Sequence, residues 1–256
     1  MGIIIKQPHN RVLEVSEDSK QITLHDSRYY QRNGEYYPSI THILQTFPKG
    51  PYFEDWLKKV GYNADYLVKQ AAEEGTQVHN MIDRYLGGEE LSLLNNNQDL
   101  QYSVDVWKMF LKFVEFWETY NPTLIDTEIH LFSDELKVAG TCDLVCKINS
   151  QLWLIDHKTS NDIHTSQELQ VSVYGKCYEE CFGIRPDRFG ILWLKSSKRK
   201  FDIAKMQGKG WEVYESPRSY EENLELFKSV KRIFEIENPS HKPSFTELRT
   251  IAQRKL

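Results

Sequence analysis

The sequence predicts an α/β (α+β) chain: a mixed central sheet flanked by helices, preceded by a β-hairpin and a helical layer. Three observations carry this. Residues 39–120 repeat apolar side chains mostly at helical spacing, residues 123–158 switch to a period of two in three runs, and a helical run over 166–183 precedes a fourth strand-like run, RFGILWLKSS.

In order, RVLEV and QITLHD flank the polar turn SEDSK, and Asn33-Gly34 marks a second turn, so residues 11–37 read as hairpin material. Pro38-Ser39 starts a helix with Ser39 as N-cap and Ile40, Ile43, Leu44 and Phe47 as its stripe; Pro48 and Gly50 end it. A short helix over 52–60 follows, then a long one over 63–86. The long helix has Tyr66, Leu67, Gln70, Ala71, Val78, Ile82 and Tyr85 on one side and Gly87-Gly88 behind it. Gly75 inside this helix costs about 1 kcal/mol against alanine and fits a close approach by another backbone or a ligand. Gly75, His79 and Asp83 share a face; Asp83 alone reads as a solvated charge. A polar loop leads to a helix over 99–120 carrying Val104, Trp107, Phe110, Leu111, Val114 and Trp117, stopped by Asn121-Pro122.

TLIDTEIHLF, LKVAGTCDLVCKI and QLWLIDHKTS are then three strands, joined by SDE and Asn149-Ser150. After the helix SQELQVSVYGKCYEECFG and the fourth strand come hairpin strands over 198–216, an amphipathic helix over 218–236 and a tail.

The Asn149-Ser150 turn sets a register that places Asp143 opposite Asp156, with Lys158 on the same face. Like charges so opposed destabilise a sheet unless a cation lies between them or one takes a proton. Two aspartates and a lysine on a partly apolar face suit Mg²⁺ or Mn²⁺ and phosphoryl chemistry. The bland alternative is a surface Asp–Lys pair beside an unrelated aspartate. His157 faces away from Lys158 and is not assigned as a general base. Cys142 and Cys146 share one strand face, and Cys177 and Cys181 one helix face; all four read as free thiols in the interior.

Composition limits the rest. With 256 residues, 40% hydrophobic and 12% aromatic, the chain suits a real core rather than disorder. A net charge of -5 does not recommend a nucleic-acid binder, yet phosphate affinity follows local charge. No run is long and apolar enough to span a membrane, and four cysteines do not make a secreted scaffold. An intracellular location, bacterial or in a phage-infected cell, is expected.

GTCD (140–143), IDHKTS (155–160) and QVSVY (170–174) resemble the PD-(D/E)XK nuclease superfamily, above all its RecB-type exonuclease branch. EEGTQVH (73–79) resembles that branch's G-T-x-x-H helix. YPSITHIL (37–44) resembles a segment ahead of it in phage recombination and mitochondrial DNA-maintenance exonucleases. The motifs keep their order over roughly residues 36–195.

The resemblance implies a restriction-endonuclease-like core and a metal-dependent deoxyribonuclease, an exonuclease leaving 5′-phosphates on single-stranded or duplex DNA. His79, Asp143, Asp156 and the His157 backbone carbonyl would hold the metal. Lys158 would be the catalytic lysine, with Gln170 and Tyr174 on a phosphate or the attacking water. Glu128 would be a further acidic group; it opposes Thr141 if the SDEL turn is symmetric, and Asp126 competes for the role. Ser39, Thr41, Gly75, Thr76, Thr159 and Ser160 would contact DNA, as would Lys198 and Arg199 of the basic run LKSSKRK.

Some members of the branch carry an iron–sulfur cluster on four cysteines, one far upstream and three near the C-terminus. The spacing here departs from that and argues against a cluster. The chain then reads as one nuclease domain, 1–256: hairpin region 1–38, helical layer 39–120, catalytic core 121–196 and C-terminal hairpin, helix and tail 197–256. Three alternatives stay open: a structure-specific endonuclease on DNA or RNA, a non-catalytic nucleic-acid-binding protein on the same scaffold, and an unrelated hydrolase using His157 with Asp156.

Overall fold

The computed structural model describes residues 20–24, 27–194 and 210–239, with side chains from Arg28 onward. RVLEV, Lys198, Arg199 and the tail lie outside them. The centre is a five-stranded mixed sheet in the order β4 (Thr123–Ser133), β5 (Val138–Ile148), β6 (Gln151–Lys158), β7 (Arg188–Leu194), β8 (Trp211–Tyr214). Among the described strands of this sheet only β6 and β7 pair in parallel. The helix between them, α5 (Thr165–Phe182), supplies the crossover that a parallel pair requires. The expected fold class holds: a mixed sheet with helices on both faces.

A small antiparallel sheet, β1 (Lys20–Leu24), β2 (Ser27–Arg32) and β3 (Glu35–Pro38), precedes it. Asn33 and Gly34 take φ of 52° and 79°, the turn conformation that this pair favours. Tyr30 and Tyr37 pack edge-on against Phe132, fastening the small sheet to β4.

Helices α5 and α6 (Tyr220–Glu237) cover one face, burying Leu169, Val173, Cys177, Phe227 and Phe234 against Val145 and Leu154. Helices α3 (Ala64–Leu86) and α4 (Val104–Tyr120) cover the other, burying Val78, Ile82, Phe110 and Phe113 against Leu144, Ile155 and Leu192. No helix among the described residues is long and apolar enough to cross a membrane.

Local signals set the ends. Ser103 Oγ accepts from the Val106 amide, and Asn121 ends α4 in the left-handed region at φ 43°. Gly183 ends α5 the same way, and Ser219 with Glu222 forms a capping box on α6. Ser39 stands at the N-cap of α1 (Ile40–Ile43), but its hydroxyl meets Thr41 Oγ1 at 2.7 Å instead of capping. A 3-10 turn over Leu44–Thr46 follows. Helix α2 (Pro51–Val60) and a second 3-10 turn (Gly61–Asn63) lead into α3.

Two helical faces differ from expectation. In α3, Tyr66 and Leu67 are exposed, and apart from Ala64 the buried residues of the helix lie from Glu74 onward. In α4, Val104 and Leu111 are exposed while Val106, Met109, Phe113 and Phe116 are buried. That helix is apolar over most of its circumference, so periodicity alone does not pick the face that meets the sheet.

Candidate active site

The site forms where β5 and β6 part. Their expected register holds from Ile148↔Gln151 to Leu144↔Ile155. Beyond that pair the Asp143 side chain replaces the ladder: its Oδ2 accepts the His157 amide at 2.6 Å. Side-chain alternation breaks there. Val145 and Cys142 lie in the core beneath α5, whereas Leu144 and Cys146 lie in the opposite core. Cys142 and Cys146 therefore do not share a face, a correction with the same cause.

The β4–β5 register also departs from the symmetric-turn expectation. The turn spans residues 134–137, with Lys137 at φ 51°. Glu180 accepts the Asp134 and Glu135 amides, and Ser133 Oγ accepts the Leu136 amide at 2.9 Å. Thr141 consequently pairs with His130, not Glu128. Glu128, at φ 48°, lies between the pairs Thr127↔Leu144 and Ile129↔Cys142, which places it opposite Asp143. Asp126 is buried, with Oδ1 accepting the Thr127 amide at 2.9 Å.

His79 enters from the middle of α3. Its Nε2 lies 3.1 Å from the His157 carbonyl and its Nδ1 3.5 Å from Asp143 Oδ1. His79, Asp143 and His157 each present a donor atom within 4.8 Å of one another, a group able to hold a metal ion. The His157 ring lies edge-on to Phe113 and is 1% exposed, and burial pushes its pKa down to about 3, so it stays neutral.

Asp156 and Lys158 stand beside this group, Nζ 2.5 Å from Oδ2. Gln170 Nε2 reaches Asp156 Oδ1 at 3.1 Å and Tyr174 Oη at 2.6 Å. One turn of α5 thus aligns Asp156 from behind. Tyr174 is core and site at once, 2% exposed.

Gly140 permits this packing, since a Cβ there would lie 2.5 Å from Tyr174 Cε1. Gly75 plays a milder part for α3: a Cβ there would lie 3.1 Å from Thr159 Oγ1. Of the expected DNA contacts, Ser39 is buried, Thr76 Oγ1 donates to the Ala72 carbonyl, and Ser160 Oγ donates to the Asp162 carbonyl.

Asp83 corrects its reading as a solvated charge: its Oδ1 accepts Thr127 Oγ1 at 2.8 Å. Its four-residue spacing from His79 was the usable signal. A part-buried hydrogen-bonded network around Glu168 carries no such signal. Glu168 accepts from Tyr214 Oη, Ser216 Oγ and Arg218 Nη2. Arg218 Nε donates to Asn223 Oδ1, and Asn223 Nδ2 to Ser172 Oγ.

Charges settle in opposite directions. Burial opposes ionising Asp143, but the nearby His79 holds it well below the usual carboxylate range. Burial likewise opposes charging His79, but Asp143 raises it to about 9. Burial, then repulsion from Asp143, raises Asp156 to about 6 against the pull of Lys158. Glu128 is exposed as a residue, yet loss of hydration at its carboxyl and then the Asp143 charge push its pKa up.

A raised histidine adds stability that is complete below its ordinary 6.5 and lost as pH rises through about 9. A lowered aspartate adds stability present above its ordinary 3.8 and lost on acidification. Asp156, raised, adds stability below 3.8 that is lost as pH rises through about 6. In EDTA, thermal melts should therefore fall from pH 6.5 to 9. His79→Ala should abolish that part of the fall; an unchanged alkaline slope would show that the His79–Asp143 pair is not ionised.

No protein-family profile matches the chain, and no curated protein does. Among solved structures it is similar to a protein named as a candidate exonuclease from Eubacterium rectale, with a TM-score of 0.39 and 12% identity over 73% of this chain and 76% of that one. It is also similar to SSO0001, with a TM-score of 0.27 and 10% identity over 67% and 88%. At these scores neither likeness bears on what the site does.

Proposed function

We propose that this chain is a Mg²⁺- or Mn²⁺-dependent DNA exonuclease of the PD-(D/E)XK superfamily, in its RecB-type branch, that leaves 5′-phosphates. One observation carries the reading. His79, Asp143 and the His157 carbonyl meet at the opened β5–β6 pair, with the Asp156–Lys158 ion pair and Gln170 beside them.

The donor set fits such an ion: carboxylate and carbonyl oxygens with one imidazole. His157 would serve through its carbonyl, because its ring is buried under Phe113 whereas His79 is 27% exposed. Asp156 would complete the shell, and Glu128, opposite Asp143, would stand behind it. When bound, the ion would polarise the scissile phosphate. Lys158, kept charged by Asp156, places an ammonium where negative charge develops on the phosphoryl oxygens. Gln170, held by Tyr174, keeps Asp156 in one orientation. Thr159 and Ser160, directly after Lys158, would meet the substrate backbone.

The test is digestion of end-labelled single-stranded and duplex DNA with Mg²⁺, Mn²⁺ or EDTA, alongside closed-circular single-stranded DNA. Linear DNA should be degraded only with metal, circles should survive, and Asp156→Ala should be slower by roughly 10³-fold. Cutting in EDTA, or undiminished cutting by the variant, would sink the reading. Cut circles would move it to an endonuclease.

A further inference from the structure

Among the described residues, helix α2 and the first turns of α3 present an aromatic surface that belongs to none of the hydrophobic cores. Helix α2 carries Phe53, Trp56, Leu57 and Val60 at the spacing of an apolar stripe, yet none of its residues is buried. Phe53 and Trp56 stack on each other at 5.7 Å, and Lys49 Nζ lies 4.6 Å over the Phe53 ring. Tyr52 is 89% exposed, and Tyr62 and Tyr66 are exposed as well.

Charge is distributed unevenly around this helix. Asp55, on the side away from the stripe, pairs with Lys58 at 3.8 Å. At 100° per residue, Lys59 lies on the flank with Tyr52 and Trp56. Among the described residues neither Lys49 nor Lys59 has a carboxylate partner. Exposed rings interleaved with unpaired ammonium groups suit a flexible polyanion with its own flat faces. Unstacked bases lie on the rings, and backbone phosphates meet the lysines. A duplex offers phosphates but no free base faces.

We infer that this arm is a stacking platform for single-stranded nucleic acid feeding the site. Helix α3 links the two: fifteen residues separate Ala64 from His79, roughly 22 Å at the helical rise. The inference deepens the nuclease reading and rests on it for the strand's destination.

The experiment measures binding of labelled oligothymidylate and of a duplex of equal length by fluorescence anisotropy in EDTA. It uses the full chain, Tyr52→Ala, Trp56→Ala and Lys59→Ala, with cleavage of both substrates in Mg²⁺ run in parallel. Each aromatic variant should weaken single-strand binding roughly tenfold and leave duplex binding within twofold. Lys59→Ala should lower the salt dependence of single-strand binding by about 0.7 in log–log slope. Tyr52 and Lys59 are exposed and Trp56 is half-buried against Phe53, so the melting temperature should hold for Tyr52→Ala and Lys59→Ala, and binding loss in Tyr52→Ala separates lost binding from lost folding.

Single-strand binding that is unchanged in both aromatic variants overturns the inference, even when the wild type cleaves DNA. Equal loss on duplex overturns stacking. Variants that instead abolish adsorption to anionic vesicles, or a dimer of the full chain, overturn nucleic acid as the occupant. If no substrate is cleaved but the aromatic variants still lose oligothymidylate, the platform stands and the nuclease reading falls.

Discussion

Asp143→Ala is expected to lose divalent-ion binding and DNA cleavage together, the rate falling by roughly 10³-fold or more. The Asp143 carboxylate performs three tasks at once: it accepts the His157 amide, faces His79 and lies level with Glu128 on β4. Alanine leaves a buried amide without its acceptor and a histidine without its counter-charge, each a cost of about 1–3 kcal/mol. It also removes the repulsion that raises Asp156 and Glu128, which offsets part of that cost. The fold should therefore survive better than the activity.

Asp143→Asn sharpens the test, since an amide oxygen still accepts from His157 while the charge is gone. Its metal-free melting temperature should fall less than that of Asp143→Ala, because only the counter-charge to His79 is lost, and calorimetric Mn²⁺ binding should vanish. Retained Mn²⁺ affinity in Asp143→Asn would remove Asp143 from the proposed shell.

What the sequence made legible, and what it hid, follows from how local each constraint is. The Asn149-Ser150 turn is two residues long, with both in the left-handed region, so the β5–β6 register was readable from the chain alone. The β4–β5 turn looked symmetric about SDEL. Its real length is set by Glu180, from a helix more than forty residues away, which no local pattern reports. Glu128 reached the right neighbourhood through the wrong partner, because a slip of two residues preserves the face.

The expectation that Cys142 and Cys146 share a face fails for another reason. Strict alternation assumes an unbroken ladder, and Asp143 breaks it with its own side chain. His79, Gln170 and Tyr174 stand out in the sequence only through motif likeness. Periodicity had no means of bringing a histidine on α3 to a carbonyl on β6. The part-buried network of Glu168, Arg218, Asn223 and Ser172 has no sequence signature because its members come from segments some fifty residues apart.

Gly140→Ala should reduce both stability and activity, and the two losses should part in a double variant. The added methyl would lie 2.5 Å from Tyr174 Cε1 and 3.2 Å from Ile40 Cδ1. Neither neighbour has room, as Tyr174 is 2% and Ile40 0% exposed. Overpacking of this kind costs about 1–3 kcal/mol, a drop of roughly 2–4 °C in melting temperature for each kcal/mol in a domain of this size.

The ring must also move, and its hydroxyl is the partner that holds Gln170 against Asp156. Cleavage should fall further than stability explains, by roughly 10-fold or more at a temperature where the variant is fully folded. Gly140→Ala combined with Tyr174→Leu supplies space for the methyl, so its melting temperature should recover above that of Gly140→Ala alone. Its cleavage should not recover, because leucine offers Gln170 no hydroxyl. Recovery of activity along with stability would mean that Tyr174 serves the fold alone and that Asp156 needs no alignment from α5.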